Sequence, residues 1–175
     1  NECGGILSYT HDLMKADGSK EGNLYYECNR AIKVRDAGQR LQMMKTWGVY
    51  VHYLLKGLSK LPSMKGIGYR GLPDKTLIIS EYRLGRPIQW GSFTSVAAGA
   101  HGLEAAKGFT ERATGIIIKI TVTCGKTLGP LSFFPSEVEV LMAPSTKLTV
   151  TSEPYEEDGY TFIDMIQQGD EAFFW

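Results

Sequence analysis

The sequence has no excess charge of either sign and no long apolar run. Lysine plus arginine and aspartate plus glutamate number 19 each, and this balance gives no sign of a nucleic-acid or acidic-membrane partner. No apolar run approaches the roughly 20 residues that cross a bilayer. The first ten residues, NECGGILSYT, have neither the basic nor the apolar region of a signal peptide. We therefore expect no membrane span in this chain and no nucleic-acid partner, while compartment and oligomeric state stay open.

Metal-binding patterns are also missing. The three cysteines, Cys3, Cys28 and Cys124, are far apart and form no Cys-x-x-C pair, which argues against structural zinc. Cys124 ends an alternating pattern typical of a strand and is expected to be a small buried residue. The three histidines have no ligand spacing either. We expect no metal in the function of this chain.

The patterns that are present place helices before strands. Segments 23–34 and 37–61 have helical spacing, and in the second the apolar residues share one face: Leu41, Met44, Val51, Leu55 and Leu58. From residue 66 onward strand patterns dominate. The 175 residues suit one domain, with a helical part at about 1–62 and a sheet part at about 66–175. This order predicts an α+β fold with a mostly antiparallel sheet.

The clearest strand is GIIIKITVTC, in which Ile116, Ile118, Ile120 and Val122 alternate with polar residues. Further strands are expected in QWGSFTSV, EVEVLMA, KLTVTSE and GYTFIDMIQ. Segment 74–82 fits either a helix or a strand.

The stretch MKGIGYRGL contains Gly66, Gly68 and Gly71 in the G-x-G-x-x-G spacing of dinucleotide-binding folds. That motif works between a buried strand and a helix. Here no apolar run precedes the glycines, and Pro73 interrupts any helix that follows. The pattern therefore indicates a glycine-rich turn before a short strand around Tyr69.

The segment FFPSEVEVLM contains two glutamates two residues apart. In a strand, Glu137 and Glu139 would share one face, with Val138 and Val140 pointing into the core. A solvated strand face is the common fate of such a pair. The alternative is two carboxylates that stabilise a positively charged, oxocarbenium-like transition state at a sugar.

Three motifs in order favour the second interpretation. Arg70 lies in YRGL, Ser95 in WGSFTSV and Glu139 in FPSEVEVL. This order resembles the arginine–serine–glutamate class of mono-ADP-ribosyltransferases, and the Glu-x-Glu ending is similar to its arginine-specific branch. The resemblance covers roughly residues 24–165. Ser92 competes with Ser95 as the motif serine.

The resemblance implies an ADP-ribosyltransferase-like core of two sheets, with NAD as substrate. Glu139 would bind the ribose 2′-OH and stabilise the oxocarbenium ion, and Ser95 would orient Glu139. Glu137 would position the arginine acceptor and take its proton. Phe133 and Phe134 fall where the family has its acceptor-recognition turn.

The resemblance also assigns the NAD contacts. Arg70 would bind the dinucleotide phosphates, which suit a guanidinium fork, and the Gly71 backbone would pair with the nicotinamide amide. Thr94 and Ser95 would line the same site. Phe109 would stack on nicotinamide, or else be a core aromatic at the end of a short helix.

The expected function is transfer of ADP-ribose from NAD to arginine, in a protein or a small molecule, with release of nicotinamide. The alternatives are an NAD glycohydrolase, with water as acceptor, and a catalytically inactive binding module that keeps the fold. The residues do not separate NAD from NADP as donor.

Overall fold

The computed structural model describes residues 2–133 and 138–169, except for the side chain of Leu77. The helices are α1 (Glu2–Thr10), α2 (Leu24–Ile32), α3 (Ala37–Ser59), α4 (Thr76–Glu81) and α5 (Gly102–Gly108), and Gly129–Leu131 forms a 3₁₀ turn. The strands are β1 (Ser63–Leu72), β2 (Pro87–Trp90), β3 (Thr94–Ala98), β4 (Ile116–Thr127), β5 (Glu139–Met142), β6 (Thr146–Val150), β7 (Tyr155–Glu157) and β8 (Tyr160–Gln167). Three helices thus precede the first strand, and the expected α+β fold is confirmed. No helix in the described residues is both long and apolar enough to cross a membrane.

The strands form one hydrogen-bonded network in the order β1-β3-β5-β4-β8-β6-β2, with β7 added to β8. Every pair is antiparallel except β4 with β8. Because β1 also pairs with β4, the strands β1, β3, β5 and β4 close a ring. The expected two sheets are joined by β4, which pairs with β8 along its first half and with β5 at its end.

Two apolar cores lie on opposite faces of β3 and β5. The inner core contains the alternating residues of β4 predicted from the sequence, together with Val96 and Ala98 of β3 and Val140 and Met142 of β5. Leu141 instead packs against helices α1 and α3. Side chains alternate along a strand, so Ser95 and Glu139 lie on the helical side of the sheet.

Helix α3 forms where the sequence predicts it, but its apolar face is not as predicted. Leu41 and Met44 are 62% and 61% exposed, whereas Leu54 and Leu58 are fully buried. Only the C-terminal half of α3 packs against the protein, since every residue from position 37 to 42 is exposed. Burial at this helix is therefore decided by its docking on α1 and the sheet, which spacing alone does not reveal.

Three strand predictions need correction. Gly66 and Gly68 lie inside the ten-residue strand β1 and not in a turn; a β-bulge between Met64 and Gly66 accommodates the positive φ of Gly66. The segment QWGSFTSV contains two strands, β2 and β3, that pair with different neighbours. Val138 is 48% exposed and precedes β5, so it does not face the core. Segment 74–82 is resolved as helix α4.

Candidate active site

The predicted serine and glutamate meet across β3 and β5. Ala97 pairs with Glu139 and Ser95 with Leu141, which makes Ser95 and Glu139 diagonal neighbours on one face. The Ser95 hydroxyl donates a hydrogen bond of 2.7 Å to Oε1 of Glu139. Ser92 is buried, and its carbonyl accepts a hydrogen bond from Thr94. Of the two candidates for the motif serine, Ser95 is therefore the one that binds Glu139.

Arg70 joins the same group from β1. Its Nη1 donates a hydrogen bond of 2.7 Å to the main-chain carbonyl of Ser95. Among the described residues, Arg70 has no carboxylate within ion-pair distance. The guanidinium is closely surrounded by protein, and this burial lowers the pKa of Arg70, although an arginine stays charged at neutral pH. A cation held this way, without a counter-ion, suits an anionic ligand.

The strands that carry Arg70 and Ser95 separate at this point. β1 and β3 pair only at Gly68 with Ala98 and Tyr69 with Ala97. Beyond Tyr69, β1 remains paired with β4 through Leu72 but has lost β3. The backbone of β1 therefore has an open edge beside Ser95, and this edge begins at Arg70.

Helix α5 lies against that open edge. A Cβ atom on Gly71 would lie 2.1 Å from the carbonyl oxygen of Ala106, so only glycine permits this contact. Phe109, the cap residue that follows α5, is 64% exposed although its Cβ lies near Gly71. The alternative of a core aromatic is therefore wrong for Phe109. Its exposed ring beside the open edge keeps the stacking prediction in place.

Thr94 is adjacent to Ser95 in β3, but its side chain lies on the inner face of the sheet. It is buried, and its hydroxyl donates to the carbonyl of Ser92 at 3.3 Å. Its predicted contact with NAD stays a prediction. Glu137 and Phe134 lie outside the described residues, so their predicted roles also stay predictions.

A second serine contacts Glu139, and sequence reasoning missed it. The hydroxyl of Ser132 donates a hydrogen bond of 2.5 Å to Oε2 of Glu139. Ser132 follows the 3₁₀ turn and is 4% exposed. Strand periodicity does not reach across a turn, so the only sequence signal was a serine a few residues before the Glu-x-Glu motif.

The N-terminal helix supports the site from the other side. Tyr9 is buried, packs edge-on against Phe93 and accepts a hydrogen bond of 3.0 Å from Asn29. Burial raises the pKa of Tyr9, so the hydroxyl stays neutral. Asn29 also donates to the carbonyl of Phe93 at 3.1 Å. These bonds connect α1 and α2 to the segment that leads into β3.

Within the described residues, no cluster of acidic, histidine or cysteine side chains could hold a metal ion.

Comparison with known proteins shows similarity over nearly the whole chain. The family model described as NAD:arginine ADP-ribosyltransferase matches residues 6–172. The chain is 30% identical over 160 residues to Mav of Mycobacterium avium, named as a candidate NAD(+)–arginine ADP-ribosyltransferase; the match covers 90% of this chain and 18% of Mav. It is 29% identical over 121 residues to Vis of Vibrio splendidus, a match that covers 61% of this chain and 47% of Vis. The chain therefore spans less than half the length of these relatives.

Solved structures share the fold. A complex of Vis with an M6 inhibitor superposes with a TM-score of 0.72 at 21% identity, over 97% of this chain and 73% of that chain. The ADP-ribosyltransferase HopU1 of Pseudomonas syringae superposes with a TM-score of 0.73 at 17% identity, over 95% and 76%. Identities this low show the fold alone. Since the family model matches nearly the whole length, the chain belongs to the NAD:arginine ADP-ribosyltransferase family.

Proposed function

We propose that this domain transfers ADP-ribose from NAD to an arginine side chain and releases nicotinamide. The observation that supports it most is the hydrogen-bonded group of Arg70, Ser95 and Glu139, in which a carboxylate and a guanidinium meet beside the edge of β1 that β3 no longer pairs. The relative Vis has been solved in complex with agmatine, a small guanidinium compound.

Glu139 would act on the ribose. When the bond between ribose C1′ and the nicotinamide nitrogen breaks, nicotinamide leaves with the electron pair and positive charge develops on the sugar. A fixed carboxylate stabilises that charge. Each carboxylate oxygen has two acceptor positions, and Ser95 and Ser132 occupy one on each. Glu139 thus keeps acceptor capacity for the ribose 2′-OH.

The remaining NAD contacts follow from the open edge of β1. The Arg70 guanidinium suits the diphosphate, whose charge it would balance. The nicotinamide would lie between the Gly71 backbone and the exposed ring of Phe109. Stacking on that ring favours a planar aromatic group, and the Gly71 backbone, beyond the last β1 residue that pairs with β3, would offer hydrogen bonds to the carboxamide.

The acceptor step needs a second carboxylate. A guanidinium nitrogen bonds to C1′ and loses a proton, because a charged guanidinium is a poor nucleophile. Glu137, two residues before Glu139, is the group proposed to attract the acceptor and take that proton. With water as acceptor, the same cleavage yields free ADP-ribose.

The test is nicotinamide release from NAD with and without agmatine, for the wild type and for Glu139→Gln. We expect agmatine to increase release by the wild type, and Glu139→Gln to lose at least about 10²-fold, the size typical of electrostatic stabilisers. Glu153→Gln, at an exposed residue, is the matched control and should keep wild-type rates.

Each outcome distinguishes one function. Release that ignores agmatine indicates a glycohydrolase, and no release indicates a binding module. A Glu139→Gln variant with near-native turnover would remove this residue from the mechanism.

A further inference from the structure

The segment that contains Ser132, the second serine on Glu139, is hydrogen-bonded to Thr10, a residue more than a hundred positions earlier in the sequence. Ser132 lies between Leu131 and Phe133, and both neighbours bind the hydroxyl of Thr10, the last residue of α1. Thr10 Oγ1 accepts a hydrogen bond of 3.1 Å from the backbone N–H of Phe133. The same Oγ1 lies within donor distance of two carbonyl oxygens, that of Leu131 at 3.1 Å and that of Leu7 at 3.2 Å.

From this geometry we infer that Ser132 is a positioning residue for Glu139, and that Thr10 acts on the reaction by holding Ser132 in place. The inference rests on the proposed function. It gives the N-terminal helix a part in the chemistry, although its residues lie more than a hundred positions from Glu139 in the sequence.

Two hydroxyls fix the carboxylate better than one. Ser95 holds Oε1 from the sheet, and Ser132 holds Oε2 from the turn. With Ser95 alone, the carboxylate could still rotate about the remaining hydrogen bond. Since a displacement of about 1 Å can cost 10²-fold in rate, fixing both oxygens is a direct means of keeping Glu139 aimed at the ribose.

The position of Ser132 depends in turn on Thr10. Both side chains are almost fully buried, at 9% exposure for Thr10 and 4% for Ser132, so no water can easily replace the lost bonds. The turn has a second contact with α1's end, because the rings of His11 and Phe133 pack edge to face at 4.8 Å between centroids. Removing the Thr10 hydroxyl should therefore loosen the turn without detaching it.

Four variants test the inference: Ser132→Ala, Thr10→Val, Thr10→Ser and the double variant Thr10→Val/Ser132→Ala. Thr10→Val keeps the shape and removes the hydroxyl, whereas Thr10→Ser keeps the hydroxyl. The measurements are kcat and KM for nicotinamide release from NAD, and the melting temperature. Thr46→Val is the matched control, because, among the residues that the structure describes, the Thr46 hydroxyl bonds to the helix carbonyl of Gln42 and to no other group.

We expect Ser132→Ala and Thr10→Val to lower kcat about tenfold, within the range of positioning effects, while KM for NAD stays within about twofold. Thr10→Ser should keep wild-type kcat even if it lowers the melting temperature. The double variant should be no slower than Ser132→Ala, because Thr10 acts through Ser132. A merely structural role would not produce this combination of unchanged KM, rescue by serine and non-additivity.

Several results would overturn the inference. Ser132→Ala with wild-type kcat would do so alone, even if Thr10→Val failed to fold. Rate losses that multiply in the double variant would show that Thr10 acts elsewhere. A Thr10→Ser variant as slow as Thr10→Val would exclude the hydroxyl as the cause. A wild type that releases no nicotinamide would refute the proposed function and this inference with it.

Discussion

Arg70 occupies an unusual position for a cation, since it is partly buried and, among the residues that the structure describes, has no carboxylate as ion-pair partner. Burial of a charge without a partner is costly unless hydrogen bonds or a ligand compensate. Within the described residues, the bond to the Ser95 carbonyl uses one of the five guanidinium donors. In the proposed complex with NAD, the diphosphate would bind further donors and compensate the cost of burying the charge.

We predict that Arg70→Lys raises KM for NAD by about tenfold or more, because lysine keeps the charge but loses the planar fork. The measurement is a titration of NAD against initial rate. Arg86→Lys, at an exposed residue, should leave KM unchanged. If Arg70→Lys and Arg86→Lys had the same KM for NAD, the diphosphate would not bind at Arg70.

A second prediction at this scale concerns Glu137. Glu137→Gln should lower the ratio of ADP-ribosyl-agmatine to free ADP-ribose, while nicotinamide release persists. An amide still accepts a hydrogen bond, but it neither attracts nor deprotonates a guanidinium. Product analysis by chromatography gives the ratio. A parallel fall of both products would mean that Glu137 and Glu139 act as one unit on the ribose.

At the scale of elements, two glycines let helix α5 press against the sheet. A Cβ on Gly71 would lie 2.1 Å from the carbonyl of Ala106, and one on Gly102 would lie 2.8 Å from the carbonyl of Ala97. Both contacts are with backbone, which has little freedom to move. The position of α5 on the sheet, and of Phe109 just after it, therefore depends on the absence of a side chain at Gly71 and at Gly102.

Gly71→Ala should destabilise the fold by about 1–3 kcal/mol, as overpacking does, and should also raise KM for NAD because α5 must shift. Gly108→Ala, a glycine-to-alanine change in α5 itself, is the control. A Cβ there meets nothing within 4 Å, so its effect should stay within about 1 kcal/mol. Urea unfolding measures both. A Gly71→Ala variant as stable as the wild type would show that α5 moves freely.

The sequence predicts those parts of the site that lie on regular strands. The alternation in β4 and the ordered motifs around Arg70, Ser95 and Glu139 were sufficient to identify the fold and the contact of Ser95 with Glu139. Ser132 was missed because its position depends on a turn, and Val138 was assigned to the core because the start of β5 was placed too early. The order of the motifs can be read directly from the sequence. The geometry of the turn depends instead on contacts with residues far away in the sequence, such as Thr10.

The extent to which helix α3 is buried is the other feature that the sequence did not predict. Leu41 and Met44 have the same spacing as Leu55 and Leu58 in α3, yet only the latter half of the helix reaches the sheet. Periodicity reports which residues could share a face. It does not report how much of that face another element covers.

At the scale of the whole molecule, carboxylates that accept hydrogen bonds stabilise the fold. Asp12 accepts hydrogen bonds from the backbone of Met14 and from the side chains of Asn23 and Tyr25. These bonds, the backbone bond above all, lower the pKa of Asp12. Thr76 similarly lowers the pKa of Asp74. Because the unfolded chain then binds more protons in acid, this stabilisation is complete above about pH 4 and is lost as the pH falls further.

We therefore predict that the free energy of unfolding falls as the pH is lowered below about 4, and that Asp12→Asn reduces the size of this fall. Glu153→Gln should leave the acid dependence unchanged. Chemical denaturation at several pH values measures it. A wild-type stability that rises on acidification would contradict the assignment.

The arrangement of the strands also bears on self-association. At one end of the strand order, β1, β3, β5 and β4 close into a ring, because β4 pairs with β1. The other end is β2, which has four residues, and the additional strand on β8 is β7, which has three. β2 begins with Pro87, which has no N–H to offer, and β7 ends in two glutamates. Short edges with proline or charge resist pairing with another chain. Within its described residues, the domain therefore presents little template for edge-to-edge aggregation, which would matter wherever it is held at high concentration.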